Sequence, residues 1–313
     1  MQKPTSDERV LAALAHASIL FSFFGPIGSI LVWVSQRTKS KYVRFHALQA
    51  MGYQVFSFWA FLIGIFVLIF AAIPLTILVE ASFPKYSNPS VFPFILQPII
   101  FLGILGLMGI FFLYGFAGAV LCMMDRDFSY LIIGNWLKKK LFGEQITDDQ
   151  FVEREDNWVS GICHATAIMR LLGLITPAIV WFTQKERSAK IRFQSLQAIF
   201  YQGTAIVVGI VTYVVMMVFY FMLIGAVIAG GVFGGHGPKG TEMSPVVGII
   251  FLVFMVLFMI FWLISMLVVP IYYILSVVAG ISTMRGHDFK YPILGRIVSN
   301  RLATSGIKEV VQS

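Results

Sequence analysis

Eight polar residues set in or beside apolar stretches are the ones that could do chemistry in this chain. They come in pairs: His16 and His164, Arg44 and Arg192, Gln49 and Gln197, Gln54 and Gln202, each pair 148 residues apart. The histidines, one per copy, would form a proton or metal site if the two copies met on a two-fold axis. Otherwise each is a hydrogen-bonded structural histidine. The arginines would bind anionic lipid or a partner, or would anchor topology at the membrane surface. The glutamines would either bond across helices inside hydrocarbon or line a polar path. No His-x-x-x-His, Cys–His or carboxylate cluster supports a metal by spacing. Cys122 and Cys163 form no ligand cluster along the chain, and His46, His236 and His287 complete no set. The expectation is therefore no catalytic residue, no metal and no cofactor.

The elements that must position these residues follow from composition. Hydrophobic residues make up 58% of the 313-residue chain and charged residues only 12%, about half the share usual in soluble domains. Several apolar runs exceed the ~20 residues that cross a bilayer core. The chain is read as an all-α, polytopic integral membrane protein. Its net charge of +8 is then a loop-charge signal rather than a nucleic-acid signal, because Lys and Arg gather in cytoplasmic loops. The polar start, Met1 to Val10, lacks the pattern of a cleaved signal.

In order, an apolar run over about 10–35 is broken by Gly25-Pro26-Ile27-Gly28. A basic loop follows, with Arg37, Lys39, Lys41 and Arg44. Apolar runs over about 47–79 and 94–124 flank a Pro-rich loop near Phe83–Pro89. Residues 125–155 are the long polar stretch, read as a linker carrying an amphipathic surface element, Phe128 to Phe142. The pattern then restarts. A second basic loop holds Lys185, Arg187, Lys190 and Arg192, and the later loop, Gly230 to Ser244, is Gly-rich without the Gly-Lys-Ser/Thr of a phosphate loop. Pro270 is an expected kink. Gly103, Gly106, Gly109, Gly115 and Gly118 are expected to pack helices.

Residues 16–54 and 164–202 align without a gap at 15 identities in 39 positions. At an offset of 161, Asp127-Phe128-x-Tyr130-x-Ile132-x-Gly134 matches Asp288-Phe289-x-Tyr291-x-Ile293-x-Gly295. Shared membrane composition would align Leu and Val, not Arg, Gln, His, Trp and Asp, so the chain is a tandem duplication. The expected organisation is a first unit over 1–142, a polar linker over 143–156 and a second unit over 157–313.

Charge decides how the first segment of each unit sits. As a straight span, it divides the basic residues 12 against 10, with no bias. As a hairpin turning at Gly25-Pro26 and near Gly173, it puts 20 on one face, against Lys85 and Lys239 on the other. The positive-inside rule favours the hairpin, which also brings Arg170 near a tip instead of the costly middle of a span. Each unit is thus a Gly/Pro-broken hairpin followed by two long transmembrane helices, with both termini cytoplasmic.

Ala12-Ala13-Leu14-Ala15-His16, Gly25-Pro26, Trp33, Arg44-Phe45-His46-x-x-Gln49-Ala50 and Asp288-Phe289-x-Tyr291-Pro292-x-x-Gly295 carry a resemblance. Each unit resembles the bacterial Tic-like family of small membrane proteins, which is related to the channel component of the chloroplast inner-envelope import translocon. Magnetosome proteins that influence crystal size resemble the same family. The resemblance implies an all-helical membrane fold, a cytoplasm-facing Arg-Phe-His stretch and no catalytic residues. Gln194 in place of the histidine, Leu131 in place of the proline and the tandem arrangement depart from the pattern. If a single unit works as a homodimer, this chain is that dimer fused.

The function read from the sequence is a non-enzymatic subunit, scaffold or assembly and translocation accessory of a bacterial inner-membrane complex. Its partners would be the lipid bilayer, anionic lipids at the basic face and other membrane proteins, with no nucleic acid. The alternative is a channel or transporter with a polar path between Gln49/Gln197 and Gln54/Gln202 on a pseudo-two-fold axis. Tightly packed glutamines would exclude it. A membrane enzyme would need acids or histidines converging at one depth.

Overall fold

The computed structural model describes residues 3–82, 91–141, 143, 146–229 and 245–304. Among them every regular element is helical. The first repeat comprises α1 (Ser6–Ala17), a 3₁₀ segment (Ser18–Phe24), α2 (Gly25–Gln36), α3 (Lys41–Ser82), α4 (Val91–Met123) and α5 (Ile133–Leu141). The second comprises α6 (Asp148–Ala165), short 3₁₀ turns, α7 (Ile175–Gln184), α8 (Ala189–Ala229), α9 (Pro245–Met284) and α10 (Leu294–Thr304). The expected loops at Phe83–Pro89 and Gly230–Ser244, with Lys85, His236 and Lys239, lie outside the described residues, as does Phe142 of the expected surface element.

Five stretches are long and apolar enough to cross a membrane: Ser6–Gln36, Lys41–Leu78, Leu96–Met123, Ala189–Gly225 and Leu252–Met284. The first qualifies by length and composition alone, because its path folds back. Ser29 Oγ donates to the Ala15 carbonyl at 2.8 Å and Ser18 Oγ to the Gly25 carbonyl at 2.9 Å, bonds that a straight helix forbids. The turn differs from the expected one. It is made at Ser22 (φ 53°, ψ −116°) and, in the second repeat, at Arg170 (φ 51°, ψ −117°). Gly25 instead opens α2, and Gly173 lets the return limb pass against the Thr166 carbonyl. A Cβ on Gly173 would stand 2.0 Å from that oxygen. Arg170 at its tip donates to the Tyr273 hydroxyl at 3.1 Å.

The polar linker expected over 143–156 is largely helix. Thr147 caps α6 through a reciprocal bond with Gln150, so the helix starts six residues earlier, relative to its repeat, than α1 does. α1 packs on α3 and α4, and α6 packs on α8 and α9 in the same way. The outer parts of α3 with α4, and of α8 with α9, pair with little else and expose Phe66, Phe70, Leu113, Phe221 and Leu267, as lipid-facing helices do. Of the five glycines expected to pack helices, Gly115 and Gly118 do so tightly, against Ile19 and Phe128. Gly103 touches Leu68, and Gly106 and Gly109 face open space.

One apolar core joins the repeats: Ile30, Trp33, Leu48 and Met51 meet Trp158, Ile162, Cys163 and Val180. Gly52 admits the Trp158 ring, whose Cζ2 would lie 2.3 Å from an added Cβ, and the indole N–H donates to the Leu48 carbonyl at 3.2 Å. Both basic loops lie on one face, where Lys41 and Arg187 line the same cleft. Cysteines placed singly at the exposed positions Lys41→Cys and Glu186→Cys will therefore react with a membrane-impermeant maleimide from the same side of sealed vesicles. Labelling from opposite sides would refute the hairpin topology.

Candidate functional site

The paired glutamines bind inside their own repeats. Gln49 donates to the Phe128 carbonyl at 3.1 Å and accepts from the Tyr130 N–H at 3.2 Å; Gln197 does the same with Phe289 (3.0 Å) and Tyr291 (3.0 Å). This explains the repeated Asp-Phe-x-Tyr stretch: its backbone, just past a membrane helix, is clamped by a glutamine from the start of the preceding long helix. Gln54 donates to the Ala15 carbonyl at 3.0 Å and Gln202 to the Cys163 carbonyl at 2.8 Å, stitching each hairpin to its long helix. All four are buried at 0–1% exposure. They fill polar gaps between helices within each repeat, the tight packing that speaks against a polar path between the two pairs.

The histidines likewise stay apart, one in each repeat, and do not form a paired site. His16 Nδ1 pairs with the Tyr130 hydroxyl at 2.9 Å, and His164 Nδ1 with that of Tyr291 at 3.2 Å. Behind each tyrosine a second ring stacks in parallel, Tyr53 on Tyr130 at 3.9 Å and Tyr201 on Tyr291 at 3.7 Å.

The other ring nitrogens diverge. His164 Nε2 meets Gln194 Oε1 at 2.9 Å, a matched donor and acceptor. His16 Nε2 meets His46 Nδ1 at 3.1 Å, and Cys122 Sγ lies 3.4 Å from that same nitrogen. His16, His46 and Cys122 are buried with their ligand atoms within 4.8 Å of one another. Linear spacing gave no ligand set because the three residues come from three helices, α1, α3 and α4, and the thiol is 76 residues from His46.

Arg44 and Arg192 have unlike surroundings. Arg44 Nε donates to Glu155 Oε1 at 2.6 Å and its Nη2 to Oε2; Trp33 Nε1 donates to Oε1 at 2.7 Å; Arg187 also binds Oε2. Asp156 Oδ1 lies 2.8 Å from Arg187, and the Arg44 guanidinium stacks 4.1 Å from the Phe151 ring centre. Glu155 is fully buried. Burial alone would raise its pKa, but the Arg44 hydrogen bond and the Arg187 and Arg44 charges hold it below the usual carboxylate range. For Asp156 burial dominates and the pKa is raised. Arg192, by contrast, donates to the Lys185 carbonyl at 2.7 Å and pairs with the exposed Glu186 at 2.8 Å.

The two repeats therefore do not carry the same contacts at their junction. Offset by 148, Glu155 corresponds to Asp7, which is exposed, and Trp33 corresponds to Trp181, whose buried N–H has no partner among the described residues. α6 packs on α3, but α1 makes no comparable packing on α8. The junction therefore pairs unlike surfaces at the Glu155 hub, although α2 also meets α7, its counterpart in the other repeat.

Above the Glu155 hub lies a cleft of about 540 Å³ lined by Arg37, Thr38, Lys39, Ser40, Lys41, Arg44, Val152 and Arg187. Glu155 and Asp156 answer the charges of Arg44 and Arg187. Arg37, Lys39 and Lys41 make no ion pair among the described residues. This is a recess whose lining is mostly basic. The sequence showed its loop charges. It hid the pairing of Glu155, Asp156 and Trp33, whose partners lie 31 to 122 residues away.

Comparison with curated proteins and with solved structures found no match. A family model does match, twice in tandem, over residues 7–137 and 155–237, which together exceed half of the chain. With its repeated clamps, its long apolar helices and this double match, the chain belongs to the magnetosome magnetite crystal formation protein family.

Proposed function

We propose that this protein is a non-enzymatic scaffold or assembly subunit of a bacterial membrane, serving magnetite crystal formation by organising the membrane around it. Its basic face holds anionic lipid headgroups at the junction of the repeats, with both termini on that cytoplasmic side. The observation that carries this reading is the cleft in which Arg37, Lys39 and Lys41 stand together above an already neutralised arginine–carboxylate hub. A cation near the membrane surface contributes about 1 kcal/mol toward anionic lipid. The hub fixes the cleft wall, and the lipid-facing helices supply the two-dimensional anchorage.

In detergent, the purified chain will retain phosphatidylglycerol over phosphatidylcholine in native mass spectra. The double variant Lys39→Gln/Lys41→Gln will lose roughly 30-fold in that preference, as ~2 kcal/mol implies. An unchanged preference would remove the cleft from the proposal.

A further inference from the structure

We propose that His16, His46 and Cys122 form a binding site for a soft, thiophilic metal ion, copper(I), present in the first repeat alone. The argument starts from donors. His46 Nδ1 offers one lone pair, yet three possible donors surround it: His16 Nε2 at 3.1 Å, the Gln49 amide at 3.0 Å and the Cys122 thiol at 3.4 Å. Hydrogen bonding can use one of them well. A metal ion uses two of these atoms together with that lone pair, because His16 Nε2 and the Cys122 thiolate become ligands alongside His46 Nδ1.

Two of the three spacings fit a shared ion as they stand. With metal–nitrogen bonds of about 2.0 Å and a metal–sulfur bond of about 2.3 Å, as at a zinc site, the observed 3.1 Å and 3.4 Å edges at His46 Nδ1 subtend angles of about 100°. The third edge, from His16 Nε2 to Cys122 Sγ, lies within 4.8 Å and must close to less than about 4.3 Å when the ion binds. The orientation is already fixed from behind. Tyr130 holds His16 Nδ1 at 2.9 Å, which leaves Nε2 turned toward the cluster, the supporting contact that metal-binding histidines require. Tyr42, one turn nearer the polar end of α3 and partly exposed, lies 4.4 Å from the His46 ring.

The second repeat is the internal control. It keeps the histidine, the clamping glutamine and the tyrosine at equivalent positions: His164, Gln197 and Tyr291. It has Gln194 where the first repeat has His46, and Thr283 where it has Cys122. Gln194 accepts from His164 and from Gln197, at 2.9 and 3.2 Å, and Thr283 Oγ1 donates to the Ala279 carbonyl at 2.8 Å. The same fold is thus built without His46 and Cys122. Their presence together, touching, in the other copy exceeds what packing needs.

Charge selects the ion. No carboxylate belongs to the cluster, and a buried net charge is costly. When copper(I) binds, the Cys122 S–H bond breaks, the proton leaves to solvent, and a sulfur–copper bond forms. One positive charge enters and one departs, so the buried charge stays unchanged. A divalent ion would leave one uncompensated positive charge. Two imidazoles and a thiolate also match the ligand softness that copper(I) prefers.

The test uses the full chain in detergent without oxygen, titrated with copper(I) against a chromophoric chelator, and in parallel with zinc(II) alone and iron(II) alone. The wild type is expected to hold one copper(I) per chain, with a near-ultraviolet thiolate-to-metal band. His46→Gln and Cys122→Thr, the residues that the second repeat already carries, should each weaken binding at least 100-fold and abolish the band. Cys163→Ala should change neither. Equal binding by wild type and both variants would overturn the site, and so would no binding by a folded wild type. Tighter binding of zinc(II) or iron(II) with the same residue dependence would overturn the choice of ion.

Discussion

Glu155→Gln will lower the unfolding free energy of the detergent-solubilised protein by about 3–5 kcal/mol, the usual cost of removing one partner from a buried ion pair. The substitution preserves volume. It nevertheless turns an acceptor-only carboxylate into an amide whose NH₂ faces guanidinium and indole donors. Trp33, Arg44 and Arg187 all converge on this one group. They come from both repeats, so the loss will fall on the docking of one repeat against the other. Arg192→Gln tests the reasoning. That arginine occupies the equivalent place in the second repeat but pairs with a Glu186 side chain that is 78% exposed, so its loss should cost less than about 1 kcal/mol. Equal effects at the two sites would show that the hub adds nothing to the junction.

The same hub sets a pH dependence. The folded pKa of Glu155 lies below its ordinary 4.5. Its contribution is therefore complete above 4.5 and is lost as pH falls through the lower folded value. Asp156 has the opposite sign: raised above 3.8 by burial, it takes its proton in the folded state first, which favours the fold on the acid side. Stability measured by unfolding midpoints should thus hold down to the ordinary carboxylate range and fall only beneath it. Glu155→Gln should flatten that fall.

The second large effect is steric. Gly173→Ala places a methyl group 2.0 Å from the Thr166 carbonyl oxygen. That obstacle is backbone and cannot rotate away, so the return limb of the hairpin must move. Overpacking of this kind costs about 1–3 kcal/mol, and a backbone obstacle puts Gly173→Ala at the upper end. Gly25→Ala, whose nearest backbone contact is the Ser18 oxygen at 3.1 Å, should cost less. Gly203→Ala on α8, with nothing within 4 Å, should range from neutral to about 1 kcal/mol stabilising, because alanine is the better helix former. Thermal unfolding of the three variants in one detergent gives the order. Gly173→Ala as stable as Gly203→Ala would refute the close approach of the limbs.

Features repeated along the chain, or expressed within a few turns of it, were legible from residues alone. Apolar run lengths gave the membrane helices, and the 148-residue offset gave the repeats. Loop charge gave the folded-back first segment, because only that path gathers the basic residues on one face. The glutamines were readable as helix ties, since a polar amide in hydrocarbon must find a partner. Which carbonyl each one ties was not readable. The hairpin turn fell at Ser22 and Arg170 rather than at the glycines, because the glycines serve close packing and the turn takes its strain elsewhere.

The tertiary structure alone decided the rest, for one physical reason. Burial and charge pairing at the junction depend on how one repeat docks on the other, and no local pattern along the chain encodes that docking. Two acidic residues open both repeats, yet α6 carries Glu155 under Arg44 while Asp7 stays in solvent. Three helices converge to bring His16, His46 and Cys122 within 4.8 Å. Two copies of nearly one pattern thereby acquire different chemistry, and the difference lies in what each copy packs against.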